Sequence, residues 1–440
     1  MKSLHADCTN GHDAGRIPGA YLLLEIISNK MKDMTDPRSR VTVLAGFSPA
    51  ATAAAARVLL LADPGLVLLS HDLSAVREGV VRRTVRDSAR VVENVETRLV
   101  HGCVSCTLRE DVLPALVRLA RERPGRDLLL ALPPAVEPEA LAAACNASPA
   151  VNESVRFDSY VTVVEAASFL DDLGSRERLP DRGLHSSGND RRRVADVVSR
   201  QVEFADTLLV WDRPGNDAFT NGRVDSLLHR LAPWAAHVRV GSTPSIDVTG
   251  LAASLRHSGR HDPGVPGILG RAISGFPIGI HDPEGEYGVN AMLFRSRRPF
   301  HPARLHDALA EVAGGALRGR GQAWIASQPD TVIGWESAGG GIVLGGLGRW
   351  LASVPAERWP EVHTLRRLAA DLDWDPYYGD RATALSFVGL GLDVPALTRR
   401  LTSCLLDDAE LATGEDGWRA LPDPFAGLLA PAAPTPTPAD

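Results

Sequence analysis

Cys103 and Cys106 stand three residues apart in HGCVSCTLRED, His101 to Asp111, just ahead of a stretch patterned as a helix. Two thiolates at a C-x-x-C spacing share one zinc ion, and a helix N-terminus behind them lowers the thiol pKa, which favours metal binding or redox reactivity. A tetrahedral zinc needs two further ligands. His101, two residues upstream, and His71 and Asp72 in LLSHDLSAV are the nearest candidates by the logic of an alternating α/β chain. The competing readings of the pair are two reduced thiols without a ligand, and a redox couple.

A second stretch, VTVLAGFSPAATAAAARVLL from Val41 to Leu60, has the outline of a phosphate-binding loop: an apolar strand, a glycine turn and an alanine-rich helix. The working loop is G-x-x-x-x-G-K-[ST], in which backbone N–H groups and the lysine bind phosphate and the hydroxyl holds magnesium. Gly46 keeps the first place. Ala51 stands where the second glycine belongs, Thr52 where the lysine belongs and Ala53 where the hydroxyl belongs, and Pro49 removes a backbone donor. The guanine-reading N-K-x-D is replaced by WDRP, so that Trp211 and Asp212 are its degenerate remnant, and the switch segment after the third strand reads ALPPAVEP, Ala131 to Pro138. GTP with Mg2+ is a doubtful ligand for such a loop. Little or no hydrolysis is expected, and no residue is assigned a catalytic role.

The elements that position these residues alternate strand and helix from about residue 41 to 245, which predicts a doubly wound α/β domain with a parallel sheet. A turn-rich linker is expected over 246–286, and a smaller α+β domain with an antiparallel sheet over 287–412. Residues 1–40 read as a disordered or misassigned extension, with Met31 or Met34 as alternative starts, and 413–440 as a tail ending in APAAPTPTPAD.

Composition bounds the function. With 44% hydrophobic and 23% charged residues over 440 positions, the chain is patterned as a soluble globular protein, and no apolar run reaches the roughly 18 residues of a membrane span. A net charge of −7 argues against a general nucleic-acid coat. The arginines at 82, 83, 86 and 90 and at 191–193 read as solvated faces, with phosphate contact as the alternative. Lys2, Lys30 and Lys32 are the only lysines, so no site beyond residue 32 has one to use. Five scattered cysteines fit a reducing cytoplasm, and the N-terminus lacks the order of a signal peptide.

The order of motifs resembles the CobW-like (CobW/HypB/UreG) family of P-loop GTPases, from about Val41 to about Trp418. GFSPAATAA matches the family's GFLGAGKTT, GCVSCTLRED matches G-C-x-C-C followed by T-L-R-x-D, EFADTLLVWD matches E-F-A-D before N-K-x-D, and RSRRPFHPARLHDAL is similar to the family's second domain. The resemblance implies a P-loop GTPase-like domain, a CobW C-terminal domain and zinc at the cysteine motif. Thr52, Ala53 and Ser105 depart from it at the lysine, the metal hydroxyl and the middle cysteine. Within the family, HGCVSCTLREDVLP, WIASQPDTVIGWESAGGGIVLGGLGRWLA, WDPYYGDRATALSF and LPDPF look like an actinobacterial branch of ribosome hibernation factor-recruiting GTPases. That likeness implies an adaptor that brings a hibernation factor to the small ribosomal subunit when zinc is scarce. The alternative is a GTP-dependent zinc metallochaperone serving zinc-dependent client proteins.

Overall fold

The computed structural model describes residues 36–184, 190–212, 215, 217–241 and 246–427. Most of the extension expected over 1–40, the end of the tail, and Arg213 and Pro214 of the WDRP element lie outside the described residues. The described residues from Ser39 onward belong to one compact unit.

β1 (Ser39–Ala45) is buried along nearly its whole length, as a strand covered by helices on both faces must be. It feeds α1 (Pro49–Ala62), which starts where it does because Ser48 caps it and a proline occupies its first turn. β2 (Val67–Asp72), β3 (Val80–Arg86) and β4 (Val91–Arg98) follow, then α2 (Val104–Thr107), a π-helical turn (Leu108–Val112) and α3 (Leu113–Glu122). The first domain continues through β5 (Leu128–Ala131), α4 (Pro138–Asn146), α5 (Pro149–Ser154), β6 (Val155–Glu165), α6 (Phe169–Gly174), α7 (Val194–Phe204), β7 (Thr207–Trp211), α8 (Ala218–Leu231) and β8 (Ala236–Val240).

Among the described residues these strands form one sheet of eight, ordered β4-β3-β2-β5-β1-β6-β7-β8. Pairing is parallel from β2 through β8, whereas β3 and β4 make an antiparallel hairpin at one edge. That hairpin was not expected: more than half of its residues are polar and β4 is mostly exposed, so it lacks the apolar run that marks the inner strands. Leu44, Leu59, Leu129 and Leu209 cluster on one face of the sheet, while Val43, Leu69, Leu116 and Leu130 cluster on the other. All eight are fully buried, and each contributes about 1.5–3 kcal/mol.

The stretch 246–286, expected as a linker, carries α9 (Val248–Leu255), two short 3-10 turns and β9 (Asp282–Glu286). The second domain then runs through β10 (Val289–Ser296), α10 (Pro302–Gly314), β11 (Arg318–Ala323), β12 (Thr331–Ala338), β13 (Gly341–Arg349), α11 (Thr364–Leu372), β14 (Thr383–Leu390) and α12 (Val394–Ser403). Its antiparallel sheet is ordered β13-β12-β11-β14-β10-β9, so β9 is an edge strand rather than linker. The residues after 412, expected as tail, pack down as far as Phe425: Trp418 meets Trp324 edge-on at 5.9 Å, and Phe425 joins the second core.

Candidate functional site

Cys103 is the N-cap of α2, and its Sγ accepts the Cys106 N–H at 3.3 Å. The chain leading into Cys103 lies against the Val76 backbone, which only Gly102 allows, because a Cβ there would meet the Val76 carbonyl oxygen at 2.1 Å. Cys103 is half-buried and Cys106 buried, and the Arg109 guanidinium reaches the Cys106 sulfur at 3.8 Å. The Cys106 thiol is pushed up, first by its hydrogen bond with Cys103 and then by burial. This outcome opposes the lowering expected from the helix terminus.

The other expected ligands do not join the thiols. His101 is exposed, and Asp72 is exposed and turned to the Ser74 N–H. His71, buried, donates from Nε2 to the Asp111 carboxylate at 2.8 Å. No group of three or more His, Cys, Asp or Glu placed to hold a metal occurs among the described residues. The pair therefore offers two sulfurs and no complete tetrahedral set of its own.

Asp111 is the residue that sequence reasoning passed over. The π-helical turn aims its carboxylate inward, where it takes His71 from β2, the Arg83 guanidinium from β3 at 2.7 Å and the Thr97 hydroxyl from β4 at 2.7 Å. Burial raises its pKa, but hydrogen bonds from His71 and Thr97 and the charges of His71 and Arg83 outweigh it and hold the group at about 2. One carboxylate thus ties the cysteine-bearing helix to three strands. Of the arginines expected as solvated faces, Arg82 meets Glu96, Arg83 also binds Glu93, and Arg192 pairs with Glu137 and Asp190, while Arg118, outside that set, bridges to the same Glu93.

The degenerate phosphate loop is closed by its own groups. Ser48 Oγ accepts the Ala51 N–H at 3.3 Å, and Thr52, buried, donates its hydroxyl to the Ser48 carbonyl at 2.9 Å. Gly46 is held where a Cβ would meet Thr52 Oγ1 and the Val163 carbonyl, both at 2.7 Å. Ala53 is exposed and brings no hydroxyl to a metal. The loop's neighbourhood encloses about 20 Å³ beside Phe47, Ser48, Gln201 and Val202, roughly the room of one water. These residues do not fit a magnesium nucleotide: the lysine and hydroxyl are absent, and an N–H that would face a phosphate is already satisfied. Trp211 ends β7, and the Asp212 carboxylate is paired with Arg239 rather than free to read a base.

The segment at the switch position is held from both sides. Gln201 Nε2 donates to the Pro134 and Val136 carbonyls at 2.9 and 3.0 Å, while Glu137 accepts from Arg192 at 2.6 Å and from Arg200 at 2.9 Å. Arg200 also reaches Glu336 on β12 at 2.9 Å, so the same ion pairs join this segment to the second domain.

Two family models match the chain: the CobW/HypB/UreG nucleotide-binding domain over residues 75–218, which begins beyond the 46–53 loop, and the cobalamin synthesis protein cobW C-terminal domain over residues 289–405. The chain is 33% identical over 380 residues to a protein of Mycobacterium tuberculosis named a zinc chaperone, covering 83% of this chain and 88% of that one. It is 29% identical over 413 residues to the zinc-regulated GTPase metalloprotein activator 1 of Dictyostelium discoideum, covering 88% and 83%. The solved Zn(II)-bound YjiA GTPase of E. coli aligns over 84% of this chain and 99% of that one at 13% identity and a TM-score of 0.36, too loose to bear on the site. No helix among the described residues is long and apolar enough to cross a membrane.

Proposed function

Because this chain belongs to the CobW/HypB/UreG family, with a CobW C-terminal domain, we propose that it serves zinc homeostasis by holding zinc as cargo at Cys103 and Cys106 for a zinc-dependent client protein, without a cycle of GTP hydrolysis. The observation that carries this reading is the pairing of two adjacent thiols at a helix start with no third ligand gathered beside them among the described residues. A two-sulfur site leaves coordination positions for a receiving protein to fill, which suits transfer better than storage. The names of the relatives support zinc handling in the family. The self-capped loop at Ser48 and the anchored Glu137 segment favour a mechanism of binding alone. The cytoplasm, where thiols stay reduced, is the compartment this chemistry requires.

Zinc titration against a chromophoric chelator tests it. The full chain takes up zinc with both cysteines present, and the variant Cys103→Ser with Cys106→Ser loses that uptake; equal uptake by both proteins removes the site.

A second reading has one observation in its favour. The retained fold without phosphate chemistry also suits an adaptor that recruits a hibernation factor to the small ribosomal subunit under zinc limitation, since an adaptor needs surfaces and no turnover. Co-sedimentation with ribosomes from zinc-limited and zinc-replete cells separates the two, because the adaptor binds the former selectively and the chaperone binds neither.

A further inference from the structure

Beside the thiols lies a groove that the zinc site does not use. One wall is the outer face of α3, with Leu113, Pro114 and Val117; the other is formed by Ala144, Ala147 and Ala150 at the end of α4 and the start of α5. It encloses about 840 Å³ and ends at Ser105, the residue between the two cysteines. α3 buries Leu113, Leu116, Leu119 and Ala120 in the core and packs Val117 partly against it, so the apolar surface it leaves to the groove is that of Pro114 and the open side of Val117.

The groove is edged by charge of one prevailing sign. Arg109, Arg118 and Arg121 line it against a single carboxylate, Glu122, in a chain whose net charge is −7. Arg118 is neutralised by Glu93 and Glu122, at 2.7 and 3.0 Å. Arg109 is largely exposed, and its one carboxylate contact is Glu110 at 3.4 Å, beside its 3.8 Å reach to the Cys106 sulfur; Arg121 makes no ion pair among the described residues. Two guanidinium groups thus stand at the mouth with little to balance them. An acidic partner is the complement.

The walls are helices and offer no open strand edge. A backbone docked between them must satisfy its own N–H and C=O groups, which a helix does and an extended peptide does not. We propose that this groove docks an amphipathic helix of a client protein, its apolar face on Pro114 and Val117 and its carboxylates on Arg109 and Arg121, which sets the client beside the thiols. The proposal rests on the chaperone reading for what is delivered. The docking itself does not depend on zinc.

The test is fluorescence anisotropy of a labelled leucine–glutamate peptide, patterned as an amphipathic helix, titrated with the full chain; a leucine–lysine peptide of the same pattern is the control. The acidic peptide binds saturably and the basic one does not. Arg109→Glu with Arg121→Glu weakens binding by at least about tenfold, as does Val117→Asp, with circular dichroism unchanged. Cys103→Ser with Cys106→Ser binds the peptide like the parent. Equal binding of both peptides, or indifference to the charge reversal, overturns the groove. Failure of the unmodified chain to take up zinc, with its peptide binding intact, leaves the groove standing and overturns the cargo reading.

Discussion

Glu203 on α7 and Arg318 on β11 are joined by two hydrogen bonds, at 2.8 and 2.7 Å, with both side chains shut off from solvent. Arg320 adds a third contact to the same carboxylate at 2.6 Å, and Arg318 continues to Glu336. The two domains are therefore fastened through buried charge, where removing one partner strands the others. Glu203→Ala is expected to cost about 3–5 kcal/mol in urea unfolding, far more than an exposed pair such as Arg82 with Glu96. A loss below about 1 kcal/mol would show that the domains are held by packing instead.

Asp111 links stability to acid. Its carboxyl is lowered from 3.8 to about 2 in the folded chain, so its contribution is fully present above about pH 4 and is lost as the pH falls toward 2. The size is about 2 kcal/mol. Asp111→Asn removes that part of the pH dependence and lowers stability at neutral pH by a similar amount, read from unfolding curves across the acid range. An unchanged acid limb in the variant would locate the effect elsewhere.

The cysteines differ in what reaches them. Cys103 is half-buried, whereas Cys145 is enclosed and burial pushes its thiol up to about 12; Cys404 is also enclosed. Iodoacetamide applied to the folded protein should label Cys103 ahead of Cys145 and Cys404, as peptide mass spectrometry reads. Preloading with zinc should slow the labelling of Cys103, and no protection would speak against a thiolate site there.

Restoring the loop asks whether its residues are what keep nucleotide out. Ala51→Gly with Thr52→Lys and Ala53→Thr returns the missing glycine, the charge and the hydroxyl, and removes the Thr52 bond to the Ser48 carbonyl. A fluorescent GTP analogue should bind the variant at least about tenfold more tightly than the parent, given the 1.5–3 kcal/mol of a charged hydrogen bond. Tight binding by the unmodified chain would contradict the reading of Gly46 to Ala53.

The inner strands were legible because a parallel sheet covered on both faces demands unbroken apolar runs, as in LLLA of β5 and TLLVW of β7. The β3–β4 hairpin was not, since VVENVETR shows solvent nearly everything it has, and its pairing of Arg83 with Glu93 exists only once the register is set. β9 reads DPEGE and carries no strand signal at all. Trp418 and Phe425 are isolated anchors in a polar stretch, which period-based reading cannot weigh. At the site, the thiol pair is local in sequence and so was visible, whereas the role of Asp111 depends on partners from three strands, 14 to 40 residues away.

The central claim is that zinc is handled without nucleotide chemistry. The most direct measurement is zinc uptake by the full chain with and without Mg-GTP, with phosphate release followed in the same sample. The account predicts one zinc affinity in both conditions and phosphate at the blank rate. A zinc affinity that moves with GTP, or phosphate release above the blank, would contradict it.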